Sequence, residues 1–189
     1  MDSLATMDKV LQETQRIVNG IEPSQLDNPT PCDEWTVRDV LNHVTSGAKM
    51  FTISAELGSV PDDQLIELMT GDSLGDDYRA AFHEAADNAI VAFSAPGVLD
   101  KMVVLPFGEM PGALALSIAV FDVLTHAVDV AASTGQHIAD TELLETALVM
   151  GEQMVTPELR VPGVFDPAQP VAADAPAETR LLAFAGRKV

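Results

Sequence analysis

The chain has 189 residues, 47% of them hydrophobic, and a formal net charge of −19 from 29 acidic and 10 basic residues. That length and apolar content predict one domain with a sizeable core and exclude wholesale disorder. The charge excludes binding to nucleic acid or anionic lipid through Lys and Arg, and the single cysteine, Cys32, excludes an internal disulfide framework.

The first residues lack a basic segment followed by an apolar core, so no signal peptide is expected and the location predicted is cytoplasmic. Residues 3–20 read as a helix, with Leu4, Met7, Val10, Leu11, Thr14, Ile17 and Val18 at three- and four-residue steps and Gly20 as a stop. A proline-rich loop runs from Glu22 to Cys32. Thr36 is placed to cap a second helix, with Asp39 favouring its positive end and Trp35 and Val40 at the spacing of a hydrophobic staple. Val37, Val40, Leu41 and Val44 form its core stripe, and His43 borders that stripe.

Asp62 and Asp63 are expected to cap a short helix that Gly71 closes, and a third long helix is expected from about Asp76 to Ser94. His83 falls beside its apolar face as a surface or boundary residue. Lys101 to Phe107 is the one β-like run, and Gly108 to Gly112 reads as a turn. Leu114 to Gly135 is a long, nearly apolar helix with Gly135 as its C′ glycine. Its apolar run from Gly112 to Phe121 is too short to span a bilayer, and Asp122, His126 and Asp129 interrupt its extension. Asp140 caps a fifth helix through Val155; the tail from Pro157 to Pro176 is irregular, with a short apolar turn at Arg180–Phe184. The sum is an all-α helical bundle with a minor β element and an irregular C-terminal tail.

Asp122, His126 and Asp129 stand at i, i+4 and i+7, on one face of the long helix. A carboxylate and an imidazole one turn apart can grip one metal ion. The same stripe also fits a solvated helix face, but it lacks the Lys, Arg, Glu and Gln that usually clothe one, and the helix is apolar almost all round. With His43 from the second helix, the candidate ligands are His43, Asp122 and His126. Asp129, the candidate catalytic residue, would orient a ligand or contact substrate. Cys32 precedes a helix N-terminus, but no histidine lies near it in sequence, so a plain loop thiol is expected rather than a nucleophile.

The segment from Pro29-Thr30-Pro31-Cys32 through Trp35-Thr36-Val37-Arg38-Asp39 to His43-Val44 resembles the second-helix signature of the DinB-like superfamily. More closely, it is similar to the actinobacterial metal-binding branch related to the N-terminal domain of mycothiol-dependent maleylpyruvate isomerase. Phe121-Asp122-Val123-Leu124-Thr125-His126 through Asp129-Val130-Ala131 is similar to that branch's third-helix signature. The close of the chain, Asp174-Ala175-Pro176 through Arg180 to Arg187, also looks like the ending of an uncharacterised actinobacterial subfamily. The resemblance implies an up-down-down-up four-helix bundle. It also implies a divalent metal, zinc or nickel, held by one histidine of the second helix and a pair spaced by four on the third. By motif these fall on His43, Asp122 and His126. Isomerase members carry glutamate where this chain has Asp122 and possess a further C-terminal domain, so maleylpyruvate isomerisation is not expected.

Three protein ligands leave open positions, the mark of a catalytic ion. The chemistry expected is a divalent-metal-dependent thiol transfer, with mycothiol as co-substrate and a small electrophile as its partner. Two histidines and a carboxylate also describe non-haem iron oxygenases, and a non-catalytic metal- or small-ligand-binding bundle is the other alternative. Neither nucleic acid nor membrane is an expected partner; a homodimer is left open.

Overall fold

The computed structural model describes residues 3–32, 34–161 and 165–189. Its helices are α1 (Ser3–Gly20), α2 (Val37–Leu57), α3 (Asp62–Thr70), α4 (Tyr78–Ser94), α5 (Gly112–Thr134), α6 (Thr141–Met154) and α7 (Ala177–Phe184). A two-stranded antiparallel hairpin, β1 (Met102–Leu105) with β2 (Gly108–Pro111), lies between α4 and α5. The four long helices form the bundle. α1 and α2 each pack against both α4 and α5, so α1 lies diagonally across from α2 and α4 across from α5. This is an all-α, DinB-like fold with a minor β element.

The amphipathic faces read from the sequence are the ones buried. Met7, Val10, Leu11, Ile17 and Val18 of α1 meet Val37, Val40, Leu41 and Val44 of α2 and Phe82, Ala85, Ala89 and Phe93 of α4 in one core. α5 is buried along nearly its whole length because α6 and α7 cover the side that the bundle leaves open. By length and composition the whole of α5, unlike the shorter run Gly112 to Phe121, is long and apolar enough to cross a membrane, with a mean hydropathy of 1.7. Burial identifies it instead as a core helix: 72% of that apolar window is inside the protein.

Several boundaries differ from expectation for local reasons. α4 begins at Tyr78 rather than about Asp76, because Asp77 caps it, accepting from the Ala80 amide. Pro61 stands at the N-cap of α3, so Asp62 and Asp63 lie in its first turn, where their charge still suits the dipole. Gly108 to Pro111 is a strand rather than a turn; the reversal falls on Pro106 and Phe107. The proline-rich tail includes residues 162–164, which lie outside the described residues.

Two local devices set the geometry around the later site. Thr36 and Asp39 form a reciprocal capping box on α2: the Asp39 amide donates to Thr36 Oγ1 at 3.2 Å and the Thr36 amide to Asp39 Oδ2 at 2.9 Å. The loop before α2 is tied to the far end of α5, where the side-chain amides of Gln25 and Asn28 donate to the carbonyls of Thr134 and Ser133. Those are carbonyls that the helix end leaves without intrahelical partners.

α5 begins where a side chain has no room. A Cβ on Gly112 would lie 2.1 Å from the Val98 carbonyl oxygen. Gly112→Ala is therefore expected to push backbone apart and cost about 1–3 kcal/mol. Thermal unfolding checks this, with a fall in Tm of several degrees expected and an unchanged Tm contradicting it.

Candidate metal centre

His43 sits two turns into α2, and Asp122 and His126 one turn apart on α5; the packing of α2 on α5 brings the three together. His43 Nε2 is 3.4 Å and His126 Nε2 3.7 Å from the same oxygen, Asp122 Oδ1. The three donor atoms lie within 4.8 Å of one another. Both nitrogen–oxygen separations are long for hydrogen bonds, which centre near 2.9–3.0 Å. The shorter one matches the edge of a tetrahedral site with bonds of about 2.0–2.1 Å, whose ligand atoms stand about 3.3–3.4 Å apart, and the longer one, at 3.7 Å, needs to close by a few tenths of an ångström. The donor set of two imidazoles and one carboxylate thus fits a divalent ion.

The site is half open. The side chains of His43 and Asp122 are 39% and 30% exposed, while that of His126 is 9% exposed. Trp35 covers the imidazoles: its ring centroid lies 4.9 Å from that of His43 and 5.7 Å from that of His126, stacked on the latter at 22°. The chain turns Trp35 inward just after Glu34, the only non-glycine residue with positive φ (67°) among the described residues.

Asp129 is completely buried behind His126. Its Oδ2 accepts from His126 Nδ1 at 3.0 Å. Arg187, beyond α7, grips the same carboxylate with Nε at 3.2 Å to Oδ1 and a terminal nitrogen at 2.9 Å to Oδ2. Cys32, His126 and Asp129 make a second compact donor group, with one ligand atom from each within 4.8 Å of the others. Sequence separation hid these partners: Arg187 is 58 residues from Asp129, and Cys32 meets a histidine only through the fold. Trp35 had looked like a staple residue and is an aromatic wall of the site. His83 lies outside it, 3.1 Å from Asn19 Oδ1.

The electrostatics favour charged carboxylates. Burial opposes ionisation of Asp122, but the charge and hydrogen bond of His43, with His126 and Arg187 behind them, outweigh it and hold the carboxyl at about 2. Burial likewise opposes charge on Asp129, and its bonds to His126 and Arg187 keep its pKa low. Burial also pulls the His43 pKa down; Asp122 more than reverses this and raises it.

These features define a helical-bundle protein with a histidine–carboxylate–histidine centre between two of its long helices. The model of the mycothiol maleylpyruvate isomerase N-terminal domain matches residues 7–131, and the chain belongs to that family. It is 34% identical over 191 residues to the uncharacterized protein Rv0738 of Mycobacterium tuberculosis strain H37Rv, with 100% of each chain covered. The counterpart in strain CDC 1551 of that organism matches with the same identity and coverage. Among solved structures, mycothiol-dependent maleylpyruvate isomerase has a TM-score of 0.65 at 17% identity, over 84% of this chain and 70% of that one. A histidine-to-alanine mutant of that isomerase gives 0.66 at 16% identity, with the same coverage. At such identities the likeness speaks for the fold.

The His43–Asp122 pair has a definite pH signature in the metal-free protein. Because the His43 pKa is raised, its contribution to stability is full below the unfolded value near 6.5 and is lost as pH rises through the folded value. Asp122 contributes above its ordinary 3.8, and that contribution is lost as pH falls through about 2. Asp122→Asn removes the charge that raises His43 and leaves its burial, so the His43 midpoint should fall below that of the parent. An NMR titration of the imidazole checks this; an unchanged midpoint contradicts it.

Proposed function

We propose that this protein is a divalent-metal-dependent thiol transferase of the cytoplasm, joining a mycothiol-type thiol to a small electrophile. The observation that carries the reading is the convergence of two imidazole Nε2 atoms on one Asp122 oxygen at 3.4 and 3.7 Å, a compact two-histidine, one-carboxylate donor set. Family membership supports the thiol: the matching domain and the solved structures bear the name of a mycothiol-dependent enzyme.

His43, Asp122 and His126 would hold the ion, zinc or nickel. Such an ion with open positions lowers the pKa of a thiol and makes it a nucleophile near neutral pH. His43 and Asp122 face the open side, where a thiol and an electrophile can approach. Trp35 screens the imidazole pair from water on another side. Asp129 orients His126 and does not contact substrate, because its carboxylate is fully buried and both oxygens are engaged. For addition to an activated double bond the reaction balances without a further reagent. Sulfur forms the new S–C bond, the π pair moves to the neighbouring carbon, and that carbon receives the thiol proton.

Metal content tests the reading, measured by mass spectrometry on protein purified without a histidine tag. About one ion per chain is expected in the parent, and occupancy in His43→Ala and His126→Ala should fall at least about tenfold. Metal-dependent consumption of thiol with an electrophile should follow the same pattern. An ion bound without any thiol consumed leaves the non-catalytic binding bundle, and no ion after loading with zinc or nickel overturns the metal reading itself.

A further inference from the structure

His126 presents a different nitrogen to each of two donor groups. Nε2 faces Asp122 of the first group, while Nδ1 faces Asp129 of the second, to which Cys32 also belongs. Taken by their donor atoms alone, both groups are compact enough to hold a cation. The second already has one. The Arg187 guanidinium binds both oxygens of Asp129, and its side chain is only 10% exposed.

The chain is built to deliver that guanidinium. α7 buries Ala177, Leu181, Leu182 and Ala183 against the outside of the bundle. Gly186 then turns the backbone with φ +91°, in a space where a Cβ would lie 2.7 Å from Asp166 atoms. The Arg187 amide donates to the Leu182 carbonyl at 2.9 Å, and its third guanidinium nitrogen donates to the Ala185 carbonyl at 2.9 Å. The fork is therefore fixed before it reaches Asp129. All of this lies outside residues 7–131, the span matched by the family model.

We propose that Arg187 is the positioning residue of the metal centre: by filling the cation position of the Cys32–His126–Asp129 group, it fixes the Nδ1–H tautomer of His126 and directs a divalent ion to the Nε2 side. An ionised carboxylate only accepts hydrogen bonds, so the 3.0 Å contact requires the proton on Nδ1 and leaves the Nε2 lone pair free. The guanidinium holds that carboxylate in plane and in place, and neutralises it in a site without water access. Without Arg187, Asp129 keeps neither its orientation nor its counter-charge, and Nδ1 with Cys32 becomes open to a cation. The part concerning the ion rests on the function proposed above; the part concerning the tautomer does not.

The test uses the full chain with Arg187→Ala and Arg187→Lys. Imidazole nitrogen NMR on the metal-free proteins reads the His126 tautomer, and competition with a chromophoric chelator reads the affinity for zinc. The parent should show Nδ1–H alone. Arg187→Ala should show a mixture with Nε2–H and bind zinc about ten- to a hundredfold more weakly. Lysine keeps the charge but not the fork, so Arg187→Lys should fall between the two. It also decides the matter if the alanine variant does not fold. Variants with the parent's single tautomer and a zinc affinity within twofold of it would overturn the role of Arg187. A parent that binds no zinc yet loses its single tautomer in the variants would retain the positioning role and refute the metal reading alone.

Discussion

The centre of this protein depends on one imidazole held between two carboxylates of its own helix. Asp122 lies one turn before His126 and Asp129 just under one turn after it, so a single α-helix presents an acceptor to each ring nitrogen. The two distances are unequal: Asp129 stands at hydrogen-bond length from Nδ1, 3.0 Å, and Asp122 beyond it from Nε2, 3.7 Å, so the proton belongs on Nδ1 and Nε2 keeps its lone pair. His43, Trp35, Cys32 and Arg187 all take their positions around it, from α2, from the loop before α2 and from the segment after α7.

Placing two acids and a histidine on the most apolar helix of the chain is costly in isolation, because a buried charge without partners loses its hydration. The fold offsets that cost locally. Asp129 is fully buried but holds three charge-assisted contacts, one from His126 and two from Arg187. Asp122 keeps a partly open face and two imidazoles. The covering of α5 by α6 and α7 is thus more than packing. It makes the dry environment in which these charges act strongly on each other, and it carries in the guanidinium that balances them.

Much of this was legible in the residues. The helical periods of α1, α2, α4 and α5, the Thr36–Asp39 cap and the Gly135 terminus follow from local sequence, and local sequence is what sets them. So does the shared face of Asp122, His126 and Asp129. The joining of His43 to Asp122, 79 residues away, could be drawn only because both stand on helices of one bundle and because their motifs resemble a known pair. Arg187, Trp35 and Cys32 were not legible as neighbours of His126. Each comes from an irregular segment, where no period says which way a side chain points. The hairpin shows the same limit in another form: Gly108 and Pro111 look like turn residues but belong to a short strand, since pairing with β1 decides the matter.

The most direct measurement is X-ray absorption at the zinc edge of the loaded protein. Light-atom neighbours at about 2.0–2.2 Å, with the outer-shell scattering of two imidazoles and no sulfur, is the result the account predicts. A sulfur neighbour at about 2.3 Å would put the ion on Cys32 and the Nδ1 side of His126. That result would contradict the claim that His43, Asp122 and His126 form the metal centre.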